Sequence, residues 1–176
     1  MKTLNYKITF FVFLSILLAE IKIGHINAEA ILLELDEVRQ VQIKLDKEQK
    51  SIESEYTNLA FQLDSLYKSY EQTQMLMSEE RRNKEQDKIR NKQAELERFQ
   101  MEQVGPQGKI YQIQEQLMAP IYQKIDDAIQ KIAIQEGYDY IFNIVPGGIV
   151  FAKPEFDITD KVIYELDKIN SDLNNE

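Results

Sequence analysis

"SIESEYTNLAFQLDSLYKSYEQTQMLMSEE", Ser51 to Glu80, decides how the rest of the chain is read. Counted from Leu45, the apolar residues Leu45, Ile52, Tyr56, Leu59, Leu63, Leu66, Tyr70 and Met77 are spaced 7, 4, 3, 4, 3, 4 and 7. The residues between them are mostly Glu, Lys, Gln and Ser. A narrow apolar stripe at alternating threes and fours is a coiled-coil seam, whereas a helix lying on a globular core carries a wider apolar face. As continuous helix, residues 36–77 reach about 60 Å, too long an arm to fold back into a compact ball.

Working outward toward the C-terminus, Ser78 can cap a new helix, with Glu79 and Glu80 in the first turn where negative charge suits the helix dipole. From there to Glu95 the only apolar residues are Ile89 and Ala94. A segment with so little to bury is an exposed far end, and a chain reversal is expected near Met77 to Asn83. Apolar spacing resumes at Leu96, Phe99, Ile110, Ile113, Leu117, Ile121, Ile125, Ala128 and Ile132. Gly105-Pro106 and Gly108 interrupt it and predict a kink or short break, and Pro120 is a milder interruption. Residues 34–136 are therefore expected to form one long helical hairpin.

The two ends of the chain have a different texture. "IKIGHIN", residues 21–27, alternates Ile with polar or small residues at period two and suggests a half-buried strand, after which Ala28 opens a helical pattern. Gly137 suits a helix C-cap, and "YDYIFNIV" and "IVFAK" read as strands around Pro146-Gly147-Gly148. Asp157 or Thr159 can cap a last helix with Val162, Ile163, Leu166 and Ile169 on one face. Strands this short are marginal alone. Several copies sharing one core would close the exposed edges. Residues 20–33 and 137–176 are accordingly expected to form an oligomerisation core, with Ile21, Ile23, Ile26, Tyr140, Phe142, Ile149, Phe151, Val162 and Leu166 inside it. The expected fold class is α+β, mostly α: a long antiparallel helical-hairpin (coiled-coil) arm on a small β-strand core.

The first residues do not belong to that fold. Lys2 and Lys7 precede the apolar run Ile8 to Leu18, and Ala19 follows with Leu17 two positions earlier, the layout of a secretory signal peptide over residues 1–19. The run falls well short of the roughly 20 residues needed to span a bilayer. The whole chain of 176 residues carries a net charge of −9, and removing a leader with two Lys and no acid leaves −11. So acidic a chain is a poor nucleic-acid binder, because affinity for phosphate backbones comes mainly from Lys and Arg. With no Cys there is no disulfide, thiolate metal site or Cys nucleophile. Export without disulfides fits the bacterial envelope better than a small secreted scaffold.

No catalytic constellation, cofactor motif or metal site is legible. His25 is the only His and has no Cys to partner it, which favours a structural role. Asp126 and Asp127 are adjacent on a helix and point about 100° apart, which suits neither a carboxylate dyad nor a metal pair. Pro146-Gly147-Gly148 lacks the Lys and Ser or Thr of a phosphate loop. Tyr67, Met75, Met77, Phe99 and Met101 are either seam residues or candidate client contacts, since Met and Tyr adapt to unlike partners. Arg81, Arg82, Lys84, Lys88, Arg90 and Lys92 face only Glu85 and Asp87 over residues 81–92, a net +4. That run is either a solvated helix face or a basic arm tip that approaches anionic clients or a membrane surface.

"IKIGHINAEAILLEL", "VGPQGKIYQIQEQLMAPIYQKIDDAIQKIAIQEGYDYIFNIV" and "GGIVFAKPEFDITDKVIYELDK" together resemble the OmpH/Skp family of periplasmic chaperones, in the form with Gly-Pro-x-Gly in the returning helix. The similarity runs from about Ile21 to Lys168. The two end motifs are specific in combination, and the arm sequence is generic coiled coil. The resemblance implies a jellyfish-shaped homotrimer in the periplasm, with a β core and three helical tentacles. It also implies that unfolded outer-membrane β-barrel proteins are held between the tentacles without ATP or any cofactor. The best-known members are strongly basic, and this chain departs from them in being acidic. The competing class is a structural coiled-coil protein of the cell envelope, an extended oligomer indifferent to unfolded clients.

Overall fold

The structure is a computed structural model that describes residues 21–145 and 148–173. The expected signal peptide and the Pro146-Gly147 turn lie outside the described residues. The elements in chain order are β1 (Ile23–Ile26), α1 (Ala28–Glu34), α2 (Asp36–Thr73), α3 (Glu79–Val104), α4 (Lys109–Glu136), β2 (Tyr140–Asn143) and α5 (Thr159–Leu173). Short 3-10 turns occupy Gln74–Leu76 and Pro154–Phe156. The chain divides into two compact units, one made by residues up to Glu34 with those from Lys124 onward, the other by Leu35–Gln123.

In the Leu35–Gln123 unit, α2 runs unbroken for 38 residues and α3 returns along it. The pairing is antiparallel. Tyr70 meets Gln86 at 2.7 Å, Tyr67 meets Gln93 at 3.4 Å, and Gln62 meets Lys92 at 3.1 Å, while Glu48 pairs with Lys109. Residues 74–78 make the reversal. The Ser78 hydroxyl accepts from the Arg81 amide at 3.4 Å, with Glu79 and Glu80 in the first turn of α3. The apolar stripe of α2 lies along the seam but is covered from one side only. Ile52 is buried, Leu45, Leu59, Leu63, Leu66, Tyr70 and Met77 are half-buried, and Tyr56 is exposed.

Gly105 ends α3 and Lys109 begins α4, so the glycine-proline stretch is a true break. A Cβ on Gly108 would lie 2.8 Å from the carbonyl carbon and oxygen of Gln103, a contact only glycine escapes. Pro120, in contrast, sits inside α4 without ending it.

In the other unit, β1 and β2 pair in parallel, with Ile23 opposite Tyr140 and His25 opposite Phe142. Gly137 closes α4 with φ +69, and the Tyr138 amide returns to the Ala133 carbonyl at 2.9 Å. The Asn27 carboxamide caps α1 by accepting from the Ala30 amide at 3.0 Å. Asp157 precedes α5 and accepts from the Thr159 amide at 2.9 Å. The buried apolar residues here are Ile26, Ile31, Ile125, Ala128, Ile132, Ile158, Val162 and Leu166.

The expected second hairpin strand does not form. Residues 148–153 contain no strand, Val150 is fully exposed and Phe151 is 78% exposed. The neighbour of β2 is β1 rather than "IVFAK", and the other edge of β1 is taken by a bridge from His25 to Asp157. A short apolar run wants covering, but among the described residues of one chain Val150 and Phe151 stay in solvent. The pairing therefore has no burial to offset its ordering entropy.

Candidate functional site

The candidate surfaces are best built from what each unit leaves uncovered. On the helical pair, Met75 and Leu76 stand in the reversal, 87% and 89% exposed, because a tight turn has no second helix beside it. Met77 is half-buried beside them. Along α2, Phe61 is 70% exposed, and it shares a groove with Gln62, Ser65, Leu66 and Lys92. A second groove runs beside the break, lined by Ile52, Tyr56, Phe99 and Val104 with Gln49, Glu53 and Gln100.

Of the five client-contact candidates, Met75 and Met101 are strongly exposed, Tyr67 partly so, and Met77 and Phe99 are half-buried. Phe61, Leu76 and Val104 are exposed as well. Phe61 falls outside the seam spacing among polar neighbours, and an apolar residue off the stripe was the available signal.

The basic run is less free than its charge suggests. Lys88 pairs with Glu85 at 2.8 Å, Lys92 with Glu95 at 2.7 Å, and Arg90 with Asp87, all within one turn of α3. The hydrogen bond from Lys88 holds the Glu85 carboxyl below the usual carboxylate range, with further pull from Arg81 and Lys84. Arg82 donates to the Gln74 carbonyl at 3.3 Å, tying the helix start to the reversal.

On the strand unit, Ile21, Ile23, Tyr140, Phe142 and Phe151 are exposed, and Ile149 is half-buried. Ile26, Val162 and Leu166 are instead buried within the single chain. Tyr140 and Phe142 stack with centroids 6.2 Å apart. Ile23, Phe142, Ile149, Phe151 and Phe156 line one apolar groove with His25 at its base. Around the end of α4, Glu136 pairs with Lys161 at 2.6 Å and Lys22 at 3.7 Å. The Lys161 hydrogen bond is the main reason the Glu136 carboxyl sits below its usual range, and in turn it raises the Lys161 ammonium.

Among the described residues no group of His, Asp and Glu is placed to hold a metal ion, and no helix is long and apolar enough to cross a membrane. The fold is mostly helical, with a small two-stranded sheet and exposed apolar faces. The model of the OmpH-like outer membrane proteins matches residues 22–166, and the chain belongs to that family. A solved OmpH-like candidate outer membrane chaperone from Caulobacter crescentus shares the fold with a TM-score of 0.70 at 15% identity, over 85% of this chain and 86% of its own. Among curated proteins no significant sequence match was found.

Proposed function

We propose that the protein is an ATP-independent periplasmic holdase that binds unfolded outer-membrane β-barrel proteins between the helical arms of a homotrimer. One observation carries the reading: a member of this family leaves large apolar side chains uncovered in both of its units. Ile23, Tyr140, Phe142, Val150, Phe151 and Phe156 are 45% to 102% exposed on the strand unit, and Phe61, Met75, Leu76 and Met101 are 66% to 89% exposed on the arm.

The two sets suit two tasks. The aromatic and β-branched residues beside β2 would bury against copies of the same chain, closing the sheet edges in a symmetric base. The scattered arm residues would give many weak contacts to an alternating apolar strand, and three arms around one client add these up by avidity. Adaptable Met and Phe side chains fit a client with no fixed shape. The basic residues near the reversal would meet anionic clients or an anionic membrane surface, offsetting the acidity elsewhere.

The test is to dilute a urea-unfolded barrel protein into buffer containing the chaperone and no nucleotide, following light scattering. Suppression saturating near three protomers per client is expected, weakened by the combined change of Phe61, Met75, Leu76 and Met101 to Ser. No suppression at large excess, from a chain shown to be folded and helical, would overturn the reading in favour of a structural coiled coil.

A further inference from the structure

Residues 153–159 lie as a strap along the edge of β1 that β2 leaves open. The strap is held by His25 twice. The Ile158 amide donates to the His25 carbonyl at 2.9 Å, and the imidazole Nε2 lies 3.1 Å from the Lys153 carbonyl oxygen. The His25 side chain is only 6% exposed, and its Nδ1 is enclosed with no hydrogen-bond partner. A carbonyl can only accept, so the proton of the neutral ring sits on Nε2 and Nδ1 is a bare, buried acceptor.

We propose that His25 is an acid-sensitive latch: a proton arriving on Nδ1 loosens the strap from β1 and opens the apolar groove beside it. Protonation would create a buried N–H with no acceptor and a charge in an apolar setting formed by Ile23, Phe142, Phe151 and Phe156. The groups facing the ring decide whether that charge is relieved. From β2 the opposing residue is Phe142, which carries no charge. At the start of α5 the Thr159 hydroxyl is spent on Asp157 Oδ1. From the strap, the Lys153 ammonium is turned to Glu155 at 3.1 Å, so that pair is largely self-neutralised.

The Asp157 carboxylate and His25 interact electrostatically. Asp157 Oδ1 is already engaged by the Thr159 amide at 2.9 Å and hydroxyl at 2.5 Å. Nδ1 has no hydrogen-bond partner, so neither Asp157 oxygen reaches it: the carboxylate attracts the imidazolium at a distance and leaves the N–H unpaired.

The sign follows by linkage. The folded chain offers an Nδ1–H neither an acceptor nor solvent, whereas the released strap offers both, so acidification is expected to favour release and lower stability. The latch does not depend on the holdase reading, and its test needs no client. Thermal unfolding of the protein and of His25→Gln, which keeps a donor for Lys153 and cannot titrate, is followed at pH 7.5 and 5.5 with protomer concentration fixed. The wild type is expected to unfold at a lower temperature at pH 5.5 than at pH 7.5, and His25→Gln to show none of that His-dependent loss.

An equal loss in both proteins, a flat wild-type profile, or a gain in stability on acidification, which would mean that Asp157 attraction wins, each overturns the proposal. Should His25→Gln not fold, hydrogen exchange in the wild type decides. The Ile158 amide must lose protection at pH 5.5 ahead of arm amides such as Ile52, and equal protection overturns the latch.

Discussion

The backbone amide of Asn27 donates to the Thr159 hydroxyl at 2.9 Å, joining the end of the first strand to the start of the last helix across 132 residues of chain. The same hydroxyl donates to Asp157 Oδ1, so one buried Thr closes both the strand end and the cap of α5. Thr159→Val leaves the Asn27 amide without its acceptor. The expected loss is about 1–3 kcal/mol, with Thr159→Ser close to wild type, read as a shift in urea midpoint at unchanged slope.

Leu166 is fully buried, and Leu76 is 89% exposed although it is the same residue type. Leu166→Ala should cost about 2–5 kcal/mol through lost burial and the cavity left behind. Leu76→Ala should stay within about 0.5 kcal/mol. Chemical denaturation at fixed protomer concentration checks both, and a large loss for Leu76 would mean that the reversal is covered.

At the break between α3 and α4, a methyl group on Gly108 would meet backbone atoms that cannot rotate away. Gly108→Ala is expected to destabilise the chain by about 1–3 kcal/mol. Gly148→Ala, where nothing lies within 4 Å, should be silent. Differential scanning calorimetry of the two variants separates a steric demand from a general effect of removing glycine.

The Glu136 carboxyl is held low chiefly by the Lys161 hydrogen bond, so the pair contributes stability at neutral pH. A carboxylate depressed in the folded state keeps that contribution above its unfolded titration range and loses it as pH falls through the folded value. The difference between wild type and Glu136→Gln should therefore be present at pH 7 and shrink below pH 4.5, the ordinary value of the group. Both side chains are solvent-exposed, so the difference at pH 7 should also fall with added salt.

Much of the helical architecture was legible because its signals are local. The stripe from Leu45 to Met77 marks the seam, Ser78 with two acids marks the start of α3, and Gly105-Pro106 and Gly137 mark helix ends, each through the geometry of one or two residues. Asn27, a capping residue just before a helical run, carries a signal of the same local kind. The division at Leu35 between α1 and α2 carries no Gly or Pro and gives no comparable signal.

The strands mark the limit of that reading. Period-two alternation pointed to β1 and a short apolar run beside a Pro-Gly-Gly turn to β2, and the matching apolar run "IVFAK" produced no strand. Alternation specifies which face is apolar, and the partner, the parallel register of Ile23 with Tyr140, and the strap over β1 depend on residues 117 positions or more apart in the chain. The contact faces divide in the same way. Residue type alone left Met75 and Met101 as either seam or contact residues and grouped Phe151 with Val162 and Leu166, but packing buries Val162 and Leu166 within one chain while Phe151, Phe61 and Leu76 stand in solvent. Helix ends follow from the sequence by itself because dihedral preferences and caps act over a single turn. Strand partners and exposed faces were decided by tertiary structure, because burial is a property of whatever the folded chain brings alongside.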